Sequence, residues 1–304
     1  LSKDFLFKMS NTNWKRLFIP FWVSQLLSLF GSALVHFTLV WWLTQETGSA
    51  TVLATATLVG LLPTIIVMPF AGAIVDRLNR KNVIIISDSL IALATLGLGA
   101  LFFLDKVQVW HIYTVMLIRA VGGAFHFPAE MATIPLLVPE GQLSRIAGFN
   151  QAAHGIINIV SAPLGALILD LVGVEGSLVI DVATASLAVA IIAFIAIPRQ
   201  QKLEQRGGAW FRTILRDMHD GLKYLLAWKG LVVLTMIALV FKMALSPALS
   251  LIPLLVYEHL GGNAAQYSLV EVAMGVGIIL GGLLLGIWGG FKKRIYTMFT
   301  GALG

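Results

Sequence analysis

The sequence contains no cysteine. That excludes a disulfide framework, thiolate metal sites and thiol chemistry. Charge is also scarce. Only 12% of the 304 residues are Asp, Glu, Lys or Arg, against roughly 25% in an ordinary globular domain. The phosphate-cradling loop G-x-x-x-x-G-K-[ST] is missing, and so are H-E-x-x-H and G-x-S-x-G. The sequence therefore encodes no ATP drive, implies no cofactor or metal, and reads as something other than an enzyme.

What is abundant is apolar surface. Hydrophobic residues make up 58% of the chain, and mean hydropathy is +0.89. A chain this apolar and this poor in charge cannot cover a water-facing surface, so its solvent is the bilayer and its class is an all-α membrane protein. The net charge of +6 comes from short basic clusters between apolar runs. These read as cytoplasmic loop charge, and no nucleic-acid partner is expected.

A membrane helix needs about 20 mostly apolar residues. Such runs place spans near 17–43, 50–75, 83–104, 109–137, 149–172, 177–197, 230–257 and 265–288, with a ninth starting near 295. The first run is too long for the core of a signal peptide. Met9 follows the opening Leu1 and reads as a start residue. With the N-terminus inside, eighteen of the 21 Lys and Arg fall in cytoplasmic segments and only Lys106 lies outside. Arg119 and Lys242 fall within spans. The expected topology is therefore a multi-pass cell-membrane protein with a cytoplasmic N-terminus. Trp14, Trp41, Trp42, Trp110, Trp210, Trp228 and Trp288 fall near span ends, where interfacial anchors belong.

The spans divide into a cytoplasmic N-terminus (1–16), a six-helix bundle (17–197), a basic cytoplasmic linker (198–229) and a partial C-terminal bundle (230–304). In the linker, Phe211, Ile214, Leu215, Met218, Leu222, Leu225 and Leu226 recur at helical spacing. This predicts an amphipathic helix on the cytoplasmic surface.

Between spans 2 and 3 stands GAIVDRLNRK, Gly72 to Lys81. It resembles the loop signature G-x-x-x-D-R-x-G-R-K of the major facilitator superfamily. Gly72 is expected to permit close packing, and Asp76 to accept hydrogen bonds from a helix N-terminus. Arg77, Arg80 and Lys81 hold the loop in the cytosol, and Asn79 is expected to take the left-handed conformation of the usual second glycine. Arg119 with Gly122 and Gly123 resembles the family's R-x-x-x-G signature, and SAPLGA, with Pro163 and Gly165, partly resembles its antiporter signature. The stretches WKRLFIPFWVSQLLSLFGSALVHFTLVWWLTQETGSA and FHFPAEMATIPLLVPEGQLSRIAGFNQ are similar to the macrolide-efflux-like drug/proton antiporters. GGLLLGIWGGFKKR resembles that group's second, weaker loop signature. The resemblance implies twelve spans in two six-helix halves, of which this sequence carries about eight and a half.

Charged groups at mid-bilayer cost at least about 2.5 kcal/mol, so they are functional candidates. Arg119 lies about 15 Å into span 4 by helix rise. His126 and Glu130 follow within about 20° of the same face. This stripe either stabilises one conformer or couples transport to protons; Glu130, near the cytoplasmic end, is equally a gate. On span 1, Gln25, Ser28, Ser32 and His36 share a face that reads as cavity lining. Lys242 in span 7 needs a carboxylate or a polar cavity. Glu271, about 10 Å into span 8, either pairs with it or carries the proton. Asp88 and Asp181, near span ends, read as structural, and His154 joins either network. Gly277, Gly281, Gly282 and Gly286 recur at small-residue spacing and are expected to give tight contacts. Pro63, Pro69, Pro163 and Pro247 are expected to bend spans.

The expected function is secondary active export of drugs or other small, partly apolar compounds, driven by protons and working as a monomer in the bilayer. An importer or uniporter of a polar metabolite is the alternative, followed by a lipid-modifying enzyme and a non-transporting receptor.

Overall fold

The computed structural model describes residues 14–197, 223, 224 and 226–288. All of the regular elements there are helical. The long ones are α1 (Trp14–Thr47), α2 (Ala50–Val75), α3 (Arg80–Phe103), α4 (Val109–Leu137), α5 (Leu143–Phe194), α6 (Lys229–Ser250) and α7 (Ala264–Trp288), with short helical turns at Glu140–Gln142, Ile252–Leu254 and Leu255–His259. Among the described residues, seven segments are long and apolar enough to cross a membrane. The predicted amphipathic linker helix lies almost wholly outside the described residues, as do the end of the second loop signature, from Gly289 on, and the ninth span. Of Lys242, Gly282 and Gly286 only the backbone is described.

Local chemistry sets the helix starts. Ser49 caps α2, its hydroxyl accepting from the Val52 amide at 3.4 Å. Asn79 caps α3, its side chain accepting from the Lys81 amide at 3.1 Å. The φ of Asn79 is −73°, so the expected left-handed turn is replaced by an extended cap. Asp76 does not serve a helix N-terminus. It closes the C-terminal end of α2. Pro20, Pro63, Pro69, Pro128, Pro135, Pro163 and Pro247 all lie inside helices that continue past them.

Spans 5 and 6 form one 52-residue helical run broken at Gly173, whose φ of 75° and ψ of −171° suit glycine. The contacts of α1 show that the chain reverses there. Trp22 meets Asn150 and Phe37 lies against Gly165, so the arm before Gly173 runs parallel to α1. Thr38 bonds Ser177, Ser32 bonds Asp181 and Phe18 shares a cluster with Ile192. The arm after Gly173 is therefore antiparallel to α1.

The core is layered along the helix axes. One buried apolar cluster joins Phe18, Phe21, Val75, Val83, Ile84, Ile134, Ile146 and Ile192 at one end. A second joins Val35, Leu39, Leu43, Leu53, Leu98, Ile112, Val115 and Leu178 at the other. Between them lies a polar layer containing Ser28, Ser32, Asp88, Thr95, Arg119 and Asp181. On the outside, Leu58, Leu62, Ile65 and Ile66 of α2 are exposed, as a face that meets hydrocarbon must be.

Close approach among α1 to α5 depends on three glycines among the described residues. A Cβ on Gly31 would lie 2.9 Å from the Asp181 Cα and collide with Thr184. One on Gly122 would lie 2.9 Å from Ile91, and one on Gly165 2.9 Å from Phe37. At Gly72, Gly123, Gly277 and Gly281 a Cβ would meet nothing within 4 Å among the described residues. In α7 the close contact is made instead by Gly275 against Ile159.

Candidate functional site

Arg119 projects from α4 into the polar layer, and its partner is Asp181 in the second arm of α5. The guanidinium Nη1 donates to Asp181 Oδ2 at 2.6 Å and to Thr95 Oγ1 at 2.6 Å. Thr95 itself donates to Asp181 Oδ2 at 2.9 Å, and Ser32 donates to Oδ1 at 3.2 Å. Arg119 Nη2 reaches the Ser32 carbonyl at 3.4 Å. The Asp181 side chain is fully buried. A buried ion pair is tolerated only when its remaining donors and acceptors are satisfied, and Ser32 and Thr95 supply that satisfaction. Arg119 therefore serves neither Glu130 nor Glu271.

Its neighbours on the α4 stripe face a second cluster. His126 Nε2 lies 3.2 Å from Asp88 Oδ1 of α3. Ser28 donates to the same oxygen at 3.5 Å. Glu130 is buried, one turn beyond His126, and the charges that act on it are His126, His154 and Asp88.

The α1 stripe is thus divided in role. Gln25 and Ser28 are buried, while Ser32 is half-buried. His36 alone is exposed, yet the charges acting on it are Arg119 of α4 and Glu271 of α7.

Glu271 accepts a 2.8 Å hydrogen bond from the Tyr267 phenol, one turn earlier on α7. The Tyr267 ring is buried, stacked on Phe37 at 5.3 Å and on Trp41 at 5.7 Å. Tyr257 meets Trp41 edge-on. These rings join α7 and the segment after α6 to α1 and the first arm of α5, through Ala162 and Ala166.

The loop signature acts as a clasp. Arg80 bonds Asp76 at 3.3 Å and the Ala132 carbonyl of α4 at 2.6 Å. Lys81 donates to the Ala193 and Ile195 carbonyls at 2.7 and 2.9 Å. The two cations thus satisfy carbonyls near the C-terminal ends of α4 and α5, where positive charge is favoured. Asp76 remains largely exposed.

Sequence reading undervalued Asp88, Asp181, Thr95 and Tyr267. The two aspartates were placed near span ends because spans 3 and 6 were started too late. α3 begins at Arg80 and the last arm directly after Gly173. Each aspartate then lies about 10 Å or more along its helix. An aspartate inside an apolar run was itself the available signal.

Residues 13–288 match the transmembrane secretion effector family. Macrolide efflux protein A of Streptococcus pyogenes is 36% identical over 283 residues, covering 93% of this chain and 69% of that protein. Macrolide efflux protein A of Enterococcus faecalis is 36% identical over 82% of this chain and 76% of its own length. The multidrug efflux pump Tap of Mycolicibacterium fortuitum is 25% identical over 90% of this chain and 67% of that pump. Membrane-length helices, a loop clasp between α2 and α3, and a buried arginine in α4 accord with these matches: the chain belongs to the transmembrane secretion effector family of major facilitator transporters.

Proposed function

We propose that this protein exports drugs or other small, partly apolar compounds across the cell membrane by proton-driven alternating access. The observation that carries the reading is the 36% identity to macrolide efflux proteins across nearly the whole chain. It is supported by ionisable groups held inside the bundle, which a purely structural core would not retain. The N-terminus is cytoplasmic, as the distribution of Lys and Arg requires.

The aromatic contact of Phe37, Trp41 and Tyr267 lies toward the outer end of α1 in this topology. It closes the two halves on the outer side, leaving His36 and Glu271 at the cavity. Proton coupling lies on Glu271, with Glu130 and His126 toward the cytosol and Arg119 fixing the layer between them. Substrate meets the cavity at His36. The gating loop, Asp76 to Lys81, breaks and re-forms its clasp as the halves rock.

The test is efflux from cells or liposomes containing the full-length protein, against a panel of macrolides, dyes and other antibiotics. Accumulation should fall when the protein is present and recover when the proton gradient is collapsed. Uptake of a polar metabolite with no drug efflux would favour the importer reading instead.

A further inference from the structure

Among the ionisable groups of α3, α4 and the two arms of α5, Asp88, Arg119, His126, Glu130, His154 and Asp181 lie along the inner stretch of the bundle, and they divide by charge balance. Arg119 and Asp181 cancel each other at 2.6 Å. Among the described residues, Asp88, His126, Glu130 and His154 make no ion pair with Lys or Arg. The charges acting on Glu130 are His126, His154 and Asp88, and those acting on His126 are Asp88 and Glu130. Neither set contains a Lys or Arg. Two buried carboxylates, Asp88 and Glu130, thus share a level of the bundle with the His126 imidazole 3.2 Å from Asp88, and ionisable groups kept inside a membrane bundle are candidates to hold a proton.

A second observation is independent of charge. Asp88 Oδ2 and both amide atoms of Gln25 are buried without a hydrogen-bond partner among the described residues, beside the 3.2 Å contact of His126 Nε2 with Asp88 Oδ1. Gln25 is only 3% exposed. It also lies level with His126. Arg119 touches Ser32 across antiparallel helices. Gln25 is seven residues back from Ser32, and His126 is seven residues on from Arg119. Both therefore sit about 10 Å from that contact, in the same direction along the bundle. Buried polar atoms without partners at one level mark a place for water or a proton.

We propose that Asp88 and His126 form a proton-binding site, that Gln25 and Ser28 of α1 hold its water, and that Glu130 and His154 pass the proton toward the cytosol. The site is separate from Glu271, which lies beyond the Arg119–Asp181 layer next to His36. It rests on the proton-coupled reading of the transporter only for its role; as a binding site it stands on the geometry. Each step moves one proton between an oxygen or nitrogen and water, with no other bond changed. The groups facing it are Gln25 and Ser28 on α1, Asp88 on α3, His126 and Glu130 on α4, and His154 on α5, with Arg119 and Asp181 in the adjoining layer.

The test is infrared titration of the full-length protein in liposomes, following the C=O stretch of protonated carboxylic acids, beside gradient-driven efflux. The wild type should show a titrating buried acid. Asp88→Asn and Glu130→Gln should each remove that signal or move its midpoint by about one pH unit or more, as coupled sites do. His126→Gln should move it as well, and Asp88→Glu should restore a titrating band if Asp88→Asn fails to assemble. A signal unchanged in Asp88→Asn, Glu130→Gln and His126→Gln would overturn the site. If the band behaves as expected but wild-type efflux ignores the gradient, the coupling reading falls and the site stands.

Discussion

The guanidinium of Arg119 and the carboxylate of Asp181 meet at 2.6 Å across α4 and the last arm of α5, with the aspartate fully buried. Removing one partner strands the other charge, which costs about 3–5 kcal/mol at a buried site. Asp181→Asn is therefore expected to melt well below wild type in detergent. Arg119→Ala should lose both efflux and substrate exchange. The double variant Arg119→Gln/Asp181→Asn should recover part of the stability lost by Asp181→Asn alone. Equal melting temperatures for Asp181→Asn and wild type would show that the pair does not hold these helices together.

At the interface with α7, Glu271 is expected to carry the transported proton. Glu271→Gln keeps the size of the side chain and can still accept from Tyr267, but cannot change charge. It should abolish gradient-driven efflux while leaving substrate exchange between equal compartments largely intact. Tyr267→Phe keeps the stacking on Phe37 and Trp41 and removes the 2.8 Å hydrogen bond. It should alter the pH dependence of efflux more than its maximal rate. Full gradient-dependent efflux by Glu271→Gln would move the carrier to the Asp88–His126–Glu130 cluster.

The clasp predicts a kinetic effect without a binding effect. Asp76 is largely exposed, and its i,i+4 bridge to the mostly buried Arg80 is reached by solvent at the carboxylate end, so it is worth about 1 kcal/mol or less to the fold. Asp76→Asn should therefore express and melt like wild type, bind substrate with similar affinity, and turn over more slowly. Weakened equilibrium binding at an unchanged turnover rate would contradict a gating role.

Topology is directly testable because the sequence has no cysteine. Leu78, half exposed in the loop after α2, and Lys106, exposed between α3 and α4, suit single-cysteine labelling. Gly262 suits it less well, since a Cβ there would lie 2.7 Å from Val256. An impermeant maleimide added to intact cells should label Lys106→Cys and spare Leu78→Cys. The reverse pattern would invert the orientation.

Much of this architecture was written in the sequence. Apolar runs of about 20 residues leave a backbone only the helix as a way to satisfy its polar groups in lipid. The loop from Gly72 to Lys81 and the R-x-x-x-G pattern from Arg119 were legible because their residues are consecutive or one turn apart. Arg119 was legible as important because charge inside an apolar run is costly wherever its partner lies.

What the sequence left open was pairing, and only the tertiary structure decided it. Arg119 and Asp181 are 62 positions apart, and Ser28 and Asp88 60. No periodicity along one helix encodes which neighbour it will face. Arg119 was expected to serve Glu130 or Glu271, but the antiparallel return of the chain at Gly173 brings Asp181 to it first. The same return turns Ser32 from a cavity residue into a ligand of that pair. Gly31 and Gly122 matter where Gly72 and Gly123 do not, because the need for a missing Cβ is set by the helix opposite. Composition and spacing fix what each helix must bury; helix packing alone fixes what each buried group meets.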